Sequence, residues 1–170
     1  ELMRADIAVL NQGARNALDG ISMLQTMEGA MATIDDALVR MQQLAEQAAT
    51  GSYSSAQRTI MENEFTEMRS EIDRIAGATT FNGISMLDNS ATVSVHFGKL
   101  TTDNISIAGS NITSASSGLN ITGLTIADVA SAKNALVTLD SAISTKDTAR
   151  AKFGYKMNRL ESTISILDIQ

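Results

Sequence analysis

The 170-residue chain lacks cysteine, proline and tryptophan, and only 4% of its residues are aromatic. Without cysteine it has no disulfides, zinc thiolate sites or thiol redox chemistry. Hydrophobic residues still make up 44% of the sequence, mainly Ala, Ile, Leu and Met. These residues are typical of helices packed along their length, since sheet sandwiches draw on aromatic and β-branched side chains. The composition therefore favours a mainly α protein.

Positive charge is also scarce, with 13 Lys and Arg residues against 19 Asp and Glu residues and a net charge of −6. A nucleic-acid-binding surface needs clustered Lys and Arg, so we expect no nucleic-acid partner. We expect no membrane partner either, because a membrane span requires about 20 apolar residues in a row and the sequence has no run of that length. No signal peptide opens the sequence. Both ends, Glu1 and Gln170, adjoin helical patterns, so we expect the sequence to be a fragment.

The first 49 residues carry the longest repeating pattern, in which small or apolar residues recur every three or four positions. This spacing predicts one amphipathic helix over residues 1–49, about 70 Å long. An average period below 3.6 is typical of helices that wind around neighbours. Gly13, Gly20 and Gly29 lie inside it, and each costs about 1 kcal/mol relative to Ala. Either the helix bends at these residues or another backbone lies close to them.

A second helix is predicted over residues 54–76. Ser54 and Gln57 have the spacing of a capping box, and Gly77 can end the helix. A third is predicted over residues 125–168, where Thr125, with Asp128 three residues on, can cap it.

Charged residues interrupt the apolar stripe of the third helix at Lys146 and Arg150. We therefore expect the middle of this helix to leave the shared core, or to extend these side chains to solvent.

Residues 79–124, between the second and third helices, are rich in Gly, Ser, Thr and Asn. Residues 92–98 and 104–108 alternate with period two and predict a β-hairpin. Residues 110–123 have few large side chains, so we expect turns that bury little, with at most one more short strand. The predicted fold is mainly α with a small β part: an elongated antiparallel bundle of three long helices plus one or two β-hairpins, in a single discontinuous-type core domain.

Catalytic chemistry is not indicated. His96 is the only histidine, and it falls in a predicted strand, where a structural or exposed role is expected. The sequence has no His-Glu-x-x-His motif, P-loop or Gly-x-Gly-x-x-Gly run, and its Met residues fit apolar helix stripes better than metal ligation. We expect no enzyme activity, no metal and no cofactor.

The run NALDGISMLQTMEGA, from Asn16 to Ala30, closely resembles the N-terminal core of the bacterial flagellins. Further matches to the flagellin core lie at residues 44–49, 71–76, 81–83, 135–143 and 150–160. The resemblance covers about residues 1–87 and 129–167. It implies a fragment of the flagellin core rod that lacks both terminal segments, with the outer variable domain absent or reduced to residues 91–125.

This resemblance implies a structural subunit of the extracellular flagellar filament, secreted without a cleaved signal peptide, that serves motility and packs against other flagellin subunits. As a fragment we expect it to be largely monomeric. Two alternatives stay open. A hook-filament junction protein shares the core pattern but usually matches residues 19–21 and 81–83 less fully. A coiled-coil adaptor would form a stable oligomer, which light scattering would distinguish.

The resemblance also implies recognition by the innate immune receptor toll-like receptor 5 of animal hosts. The family's receptor positions map onto Arg40, Leu44 and Glu64. Residues 40 and 44 share a helix face, so we expect Leu44 to be an exposed apolar centre between two charges. The predicted rim of this surface comprises Val39, Gln47 and Met61. The alternative is that Arg40 and Glu64 are ordinary solvated charges and that Leu44 fills the helix interface.

Overall fold

The computed structural model describes residues 1–89 and 91–169. In this part of the chain it has three helices and two two-stranded antiparallel sheets. The predicted fold class is therefore confirmed. The helices are α1 (Leu2–Ala48), α2 (Ser55–Ala78) and α3 (Val129–Ile169). The strands are β1 (Thr80–Phe81), β2 (Ile84–Ser85), β3 (Thr92–His96) and β4 (Asn104–Ala108).

Helix α1 is the central element, and α2 and α3 both pack against it. Helix α3 runs antiparallel to α1, since Gln42 bonds to Asp140 and Glu28 bonds to Arg150. Helix α2 is also antiparallel to α1 and covers its C-terminal half. The buried face of α1 extends from Gly13 to Ala48, whereas the first predicted stripe residue, Ile7, is 54% exposed.

The β3–β4 hairpin covers the N-terminal half of α1, where two of the helix glycines face it. A Cβ atom at Gly13 would overlap the backbone carbonyl of Phe97, directly after β3. At Gly20 it would lie 3.0 Å from Leu160 Cδ1 and 3.1 Å from Val95 Cγ2. Close approach of a backbone therefore explains Gly13, and crowded side chains explain Gly20. Gly29 has no neighbour within 4 Å of its Cβ position.

The short β1–β2 hairpin turns at Asn82 and Gly83, which have φ angles of 53° and 80°. Positive φ at both central residues is the geometry of a type I′ turn, which Asn-Gly favours because Gly has no Cβ and Asn tolerates the left-handed region. The dipeptide alone is the local signal from which this second hairpin could have been predicted.

Residues 109–128 include the segment 110–123, for which turns that bury little were expected, and the expectation of low burial is wrong. They form no strand in the described structure, yet they bury four large apolar side chains completely or nearly so, namely Ile112, Leu119, Ile121 and Ile126. A segment without ladder hydrogen bonds can be buried only if other groups satisfy its backbone. Backbone bonds within the segment and to Met86 and Leu87 satisfy part of it, and side chains of α2 satisfy another part.

Polar residues along one side of α2 bond to this segment. The Asp73 carboxylate accepts hydrogen bonds from the Ser114 backbone N–H and hydroxyl, both at 2.7 Å. Arg69 donates to the Leu124 carbonyl at 2.8 Å. Glu62 accepts from the Ile126 N–H at 2.6 Å. Helix α2 thus supplies hydrogen bonds to backbone groups of the segment that have no strand partner.

The N-terminus of α3 lies later than predicted. Asp128, and not Thr125, caps the helix, because its carboxylate accepts the Ser131 N–H at 2.8 Å. These hydrogen bonds from Ser131 lower the pKa of Asp128. The Ser54–Gln57 capping box of α2 is present as predicted.

The middle of α3 stays in the core, contrary to expectation. Lys146 is 3% exposed, and its Nζ lies 2.5 Å from Asp35 and 2.6 Å from Asp147. Arg150 bonds to Glu28 at 2.5 Å. Burial lowers the pKa of Lys146, but hydrogen bonds to Asp147 and Asp35 and their charges outweigh it, so the pKa is raised. Lys146 remains inside because Asp35 of α1 and Asp147 of α3 pair with it. The Arg150 side chain is 40% exposed, so it extends toward solvent as expected while it bonds to Glu28.

Substitutions at Gly13 and Gly29 test whether one glycine lies against the hairpin and the other faces open space. Gly13→Ala should destabilise the chain by about 1–3 kcal/mol, because the Phe97 backbone must move to admit the methyl group. Gly29→Ala should stabilise it by about 1 kcal/mol, because Ala is the better helix former and meets no atom. Urea unfolding followed by circular dichroism measures both changes. Equal effects at the two positions would contradict the placement of the hairpin on α1.

The buried lysine predicts a loss of stability at alkaline pH. Its raised pKa means that the stabilisation is complete below the ordinary lysine value of about 10.4 and is lost as the pH rises through the higher folded-state value. Lys146→Met should therefore flatten the decline of the unfolding free energy above about pH 10. Lys133→Met, at an exposed position, is the control and should leave the decline unchanged.

Candidate interaction surface

Arg40 and Glu64 join α1 to α2 through a two-pronged ion pair. Arg40 Nε donates to Glu64 Oε1 at 3.0 Å and Nη2 donates to Oε2 at 2.8 Å. Their side chains are 43% and 40% exposed. The hydrogen bond to Glu64 raises the pKa of Arg40, against a smaller lowering by burial. Because water screens this pair, we expect it to contribute at most about 1 kcal/mol to stability.

Leu44 is 1% exposed and belongs to the core, so its predicted exposure is wrong. Helices α2 and α3 cover α1 from two sides, and its buried face here is wider than a single stripe, including Ala37, Leu38, Met41 and Ala45. Arg40 lies at the edge of this face, and Leu44, one turn later, lies inside it. Leu44 fills the interface, as the alternative interpretation held.

The other predicted residues lie on two helices, with Val39 and Gln47 on α1 and Met61 on α2. Val39 is 42% exposed, and Val39, Arg40 and Gln47 line one open groove between α1 and α3. Met61 is half-buried against the core, and Glu64 lies on α2. The structure thus brings Arg40 and Glu64 together and places Val39 and Gln47 beside them on α1.

Several residues of this groove were not predicted from the sequence. Gln43 accepts a hydrogen bond from Arg40 at 3.4 Å, and Gln42 donates to Asp140 of α3 at 2.7 Å. The position of Gln43 three residues after Arg40 was an available signal. The contribution of Asp140 was not, because it depends on the register of α3 against α1.

The described ranges 1–89 and 91–169 offer neither a metal site nor a membrane-spanning helix. No group of three or more His, Cys, Asp or Glu residues in them could hold a metal ion. No helix there is both long and apolar enough to cross a membrane.

Comparison with known proteins decides the family. Residues 1–92 match the model of the bacterial flagellin N-terminal helical region. This chain is a member of the flagellin family. It is 33% identical to the flagellar filament 31.3 kDa core protein of Treponema maltophilum over 99% of this chain, and it spans 64% of the length of that relative.

Two solved structures resemble the flagellin-family chain in fold. A crystal structure of Bacillus cereus flagellin is 32% identical, with a TM-score of 0.81, and the match covers 89% of this chain and 88% of that one. A Vibrio parahaemolyticus protein described as flagellar hook-associated has a TM-score of 0.80, covering 97% and 88%, but only 16% identity. The second likeness shows the fold alone, so it does not favour the hook-filament junction alternative.

Leu44 and Val39 offer a matched test of which side chain is buried. Leu44→Ala should lower the unfolding free energy by about 2–5 kcal/mol because it leaves a cavity. Val39→Ala, on the exposed side of the same turn, should change it by less than about 0.5 kcal/mol. Denaturant unfolding of both variants checks the assignment, and a small effect at Leu44 would restore its predicted exposure.

Proposed function

We propose that this chain is the rod segment of a flagellin that builds the extracellular flagellar filament for motility by packing against copies of itself. The main support is one continuous 47-residue helix with a 41-residue helix antiparallel along it, in a chain whose family is flagellin. A rod of this kind presents long sides for repeated contacts, and head-to-tail contacts that do not close give an open helical assembly. Export without a cleaved signal peptide is part of this proposal.

A chimaera tests the filament proposal. This chain replaces the aligned segment of Bacillus cereus flagellin in a strain that lacks its own flagellin, and a strain carrying the rejoined native gene is the control. We expect filaments by electron microscopy and spreading in soft agar. A chimaera that is exported and folded by circular dichroism, yet forms no filaments, would refute the proposal.

We further propose that the surface around Arg40 and Glu64 binds toll-like receptor 5. The ion pair fixes both side chains while leaving each partly exposed, and Val39 and Gln47 lie alongside on α1. Such an arrangement resembles interface hot spots, where an ordered Arg lies next to an apolar group. Leu44 is buried and does not contact the receptor in this proposal; its side chain packs in the core beneath these surface residues. Met61 contributes only its exposed edge.

A matched pair of double variants tests receptor binding. Arg40→Ala with Glu64→Ala should reduce signalling in a receptor reporter cell line at least about tenfold. Glu71→Ala with Arg74→Ala removes a similar ion pair within α2 and should leave signalling unchanged. The unfolding free energy of both variants should lie within about 1 kcal/mol of that of the parent chain. Equal signalling by the two variants would exclude this surface.

A further inference from the structure

A short basic stripe lies on one face of α3. It consists of Lys152, Tyr155, Lys156 and Arg159, which are three or four residues apart and therefore share a face. Lys152, Tyr155 and Arg159 are exposed and Lys156 is half-buried. In the described part of the chain none of the three cations forms an ion pair. The phenol ring of Tyr155 is 67% exposed.

This stripe is unusual for its charge. Between residues 146 and 159 five of the six charged residues are basic, although the whole chain has a net charge of −6. Two of the five, Lys146 and Arg150, are already paired with carboxylates of α1. The other three form the basic stripe, which faces away from these partners, on a molecule that is otherwise acidic.

An acidic stripe lies on α2. It consists of Ile60, Glu64, Glu67 and Glu71, again spaced by three or four residues. Glu64 is held by Arg40 and Glu71 by Arg74, whereas Glu67 has no ion pair within the described residues. Ile60 is 70% exposed.

A shallow groove runs along α2 beside Glu67. Its lining includes Thr66, Met68 and Ser70. These side chains offer an apolar and hydroxyl surface next to the unpaired carboxylate.

The two stripes match in spacing and direction. From Lys152 to Arg159 and from Glu64 to Glu71 the separation is seven residues, or about 10 Å along a helix. Helices α2 and α3 point the same way, because each is antiparallel to α1. Two copies in the same orientation can therefore place Lys152 near Glu64, Tyr155 near Glu67 and Arg159 near Glu71.

The stripes lie at different levels along the rod. The basic stripe is close to the level of Glu28 on α1, to which Arg150 bonds, and the acidic stripe begins at the level of Arg40. The separation is about 20 Å. Copies joined through the stripes must be staggered by this distance, and each copy keeps one free stripe. Such a contact continues without closing.

We propose that the basic stripe of α3 binds the acidic stripe of α2 on a second copy of this chain, staggered by about 20 Å. The inference rests on the proposed filament function and specifies one of its contacts. Tyr155 enters the groove beside Glu67 as the apolar anchor, and the flanking charges set register and orientation. One such contact is weak in water, which is consistent with the expectation that the isolated chain is largely monomeric.

Disulfide trapping tests the contact, because the chain has no cysteine of its own. Lys152→Cys with Glu64→Cys leaves the Tyr155 anchor intact and places the two thiols about 20 Å apart along one rod. This is too far for a bond within a chain, since bridged Cα atoms lie about 4.4–6.8 Å apart. Mild oxidation at low salt should give a ladder of dimers, trimers and longer species. Lys133→Cys with Glu64→Cys is the control and should give none.

Charge reversal adds a readout that chance collisions would not give. On the Lys152→Cys, Glu64→Cys background, Arg159→Glu should lower the ladder several-fold, and adding Glu71→Lys should recover it. An absent ladder, a single dimer band, or equal ladders from test and control pairs would overturn the contact. If the chimaera forms filaments without a ladder, the contact is wrong and the filament function stands; if neither forms, both are refuted.

Discussion

The fold depends on one constraint: a single helix supplies core surface to both other helices and to the β3–β4 hairpin. Helix α1 gives its C-terminal half to α2, its N-terminal half to the β3–β4 hairpin, and its length to α3. Its buried residues include Met23, Met27, Met31 and Met41, whose flexible side chains fill irregular gaps. An elongated molecule has much surface for its volume, so this shared face must provide most of the hydrophobic stabilisation.

Charge and polarity set the register of the elements around α1. Lys146 lies in the α1–α3 interface between Asp35 and Asp147. Buried ion pairs are weak evidence for stability, but a shift in register would leave the lysine buried without carboxylates, at a large cost. The polar residues of α2 act similarly on residues 109–128, since Asp73 and Glu62 accept hydrogen bonds from backbone that has no strand partner.

The sequence predicted the features that depend on local chemistry. Period, capping and turn residues place the three helices and the main hairpin to within a few residues, and the shared amphipathic period of the helices predicts the bundle. The errors concern contacts made in space. Leu44 is buried because α1 is covered on two sides, residues 110–123 are buried because α2 bonds to them, and Lys146 is retained because Asp35 lies opposite. None of these partners is near in sequence, so no local pattern indicates them. For the candidate interaction surface, only the proximity of Arg40 and Glu64 followed from the resemblance.

Native-state hydrogen exchange tests the central role of α1 most directly. Amides of α1 between about Leu24 and Ala48, where α2 and α3 both cover it, should be the slowest in the chain and should exchange only with global unfolding. Amides of α2 and α3 should lose protection in the same event or earlier. Protection that persists in α2 or α3 after α1 has exchanged would show that these helices do not depend on α1, and would contradict the account.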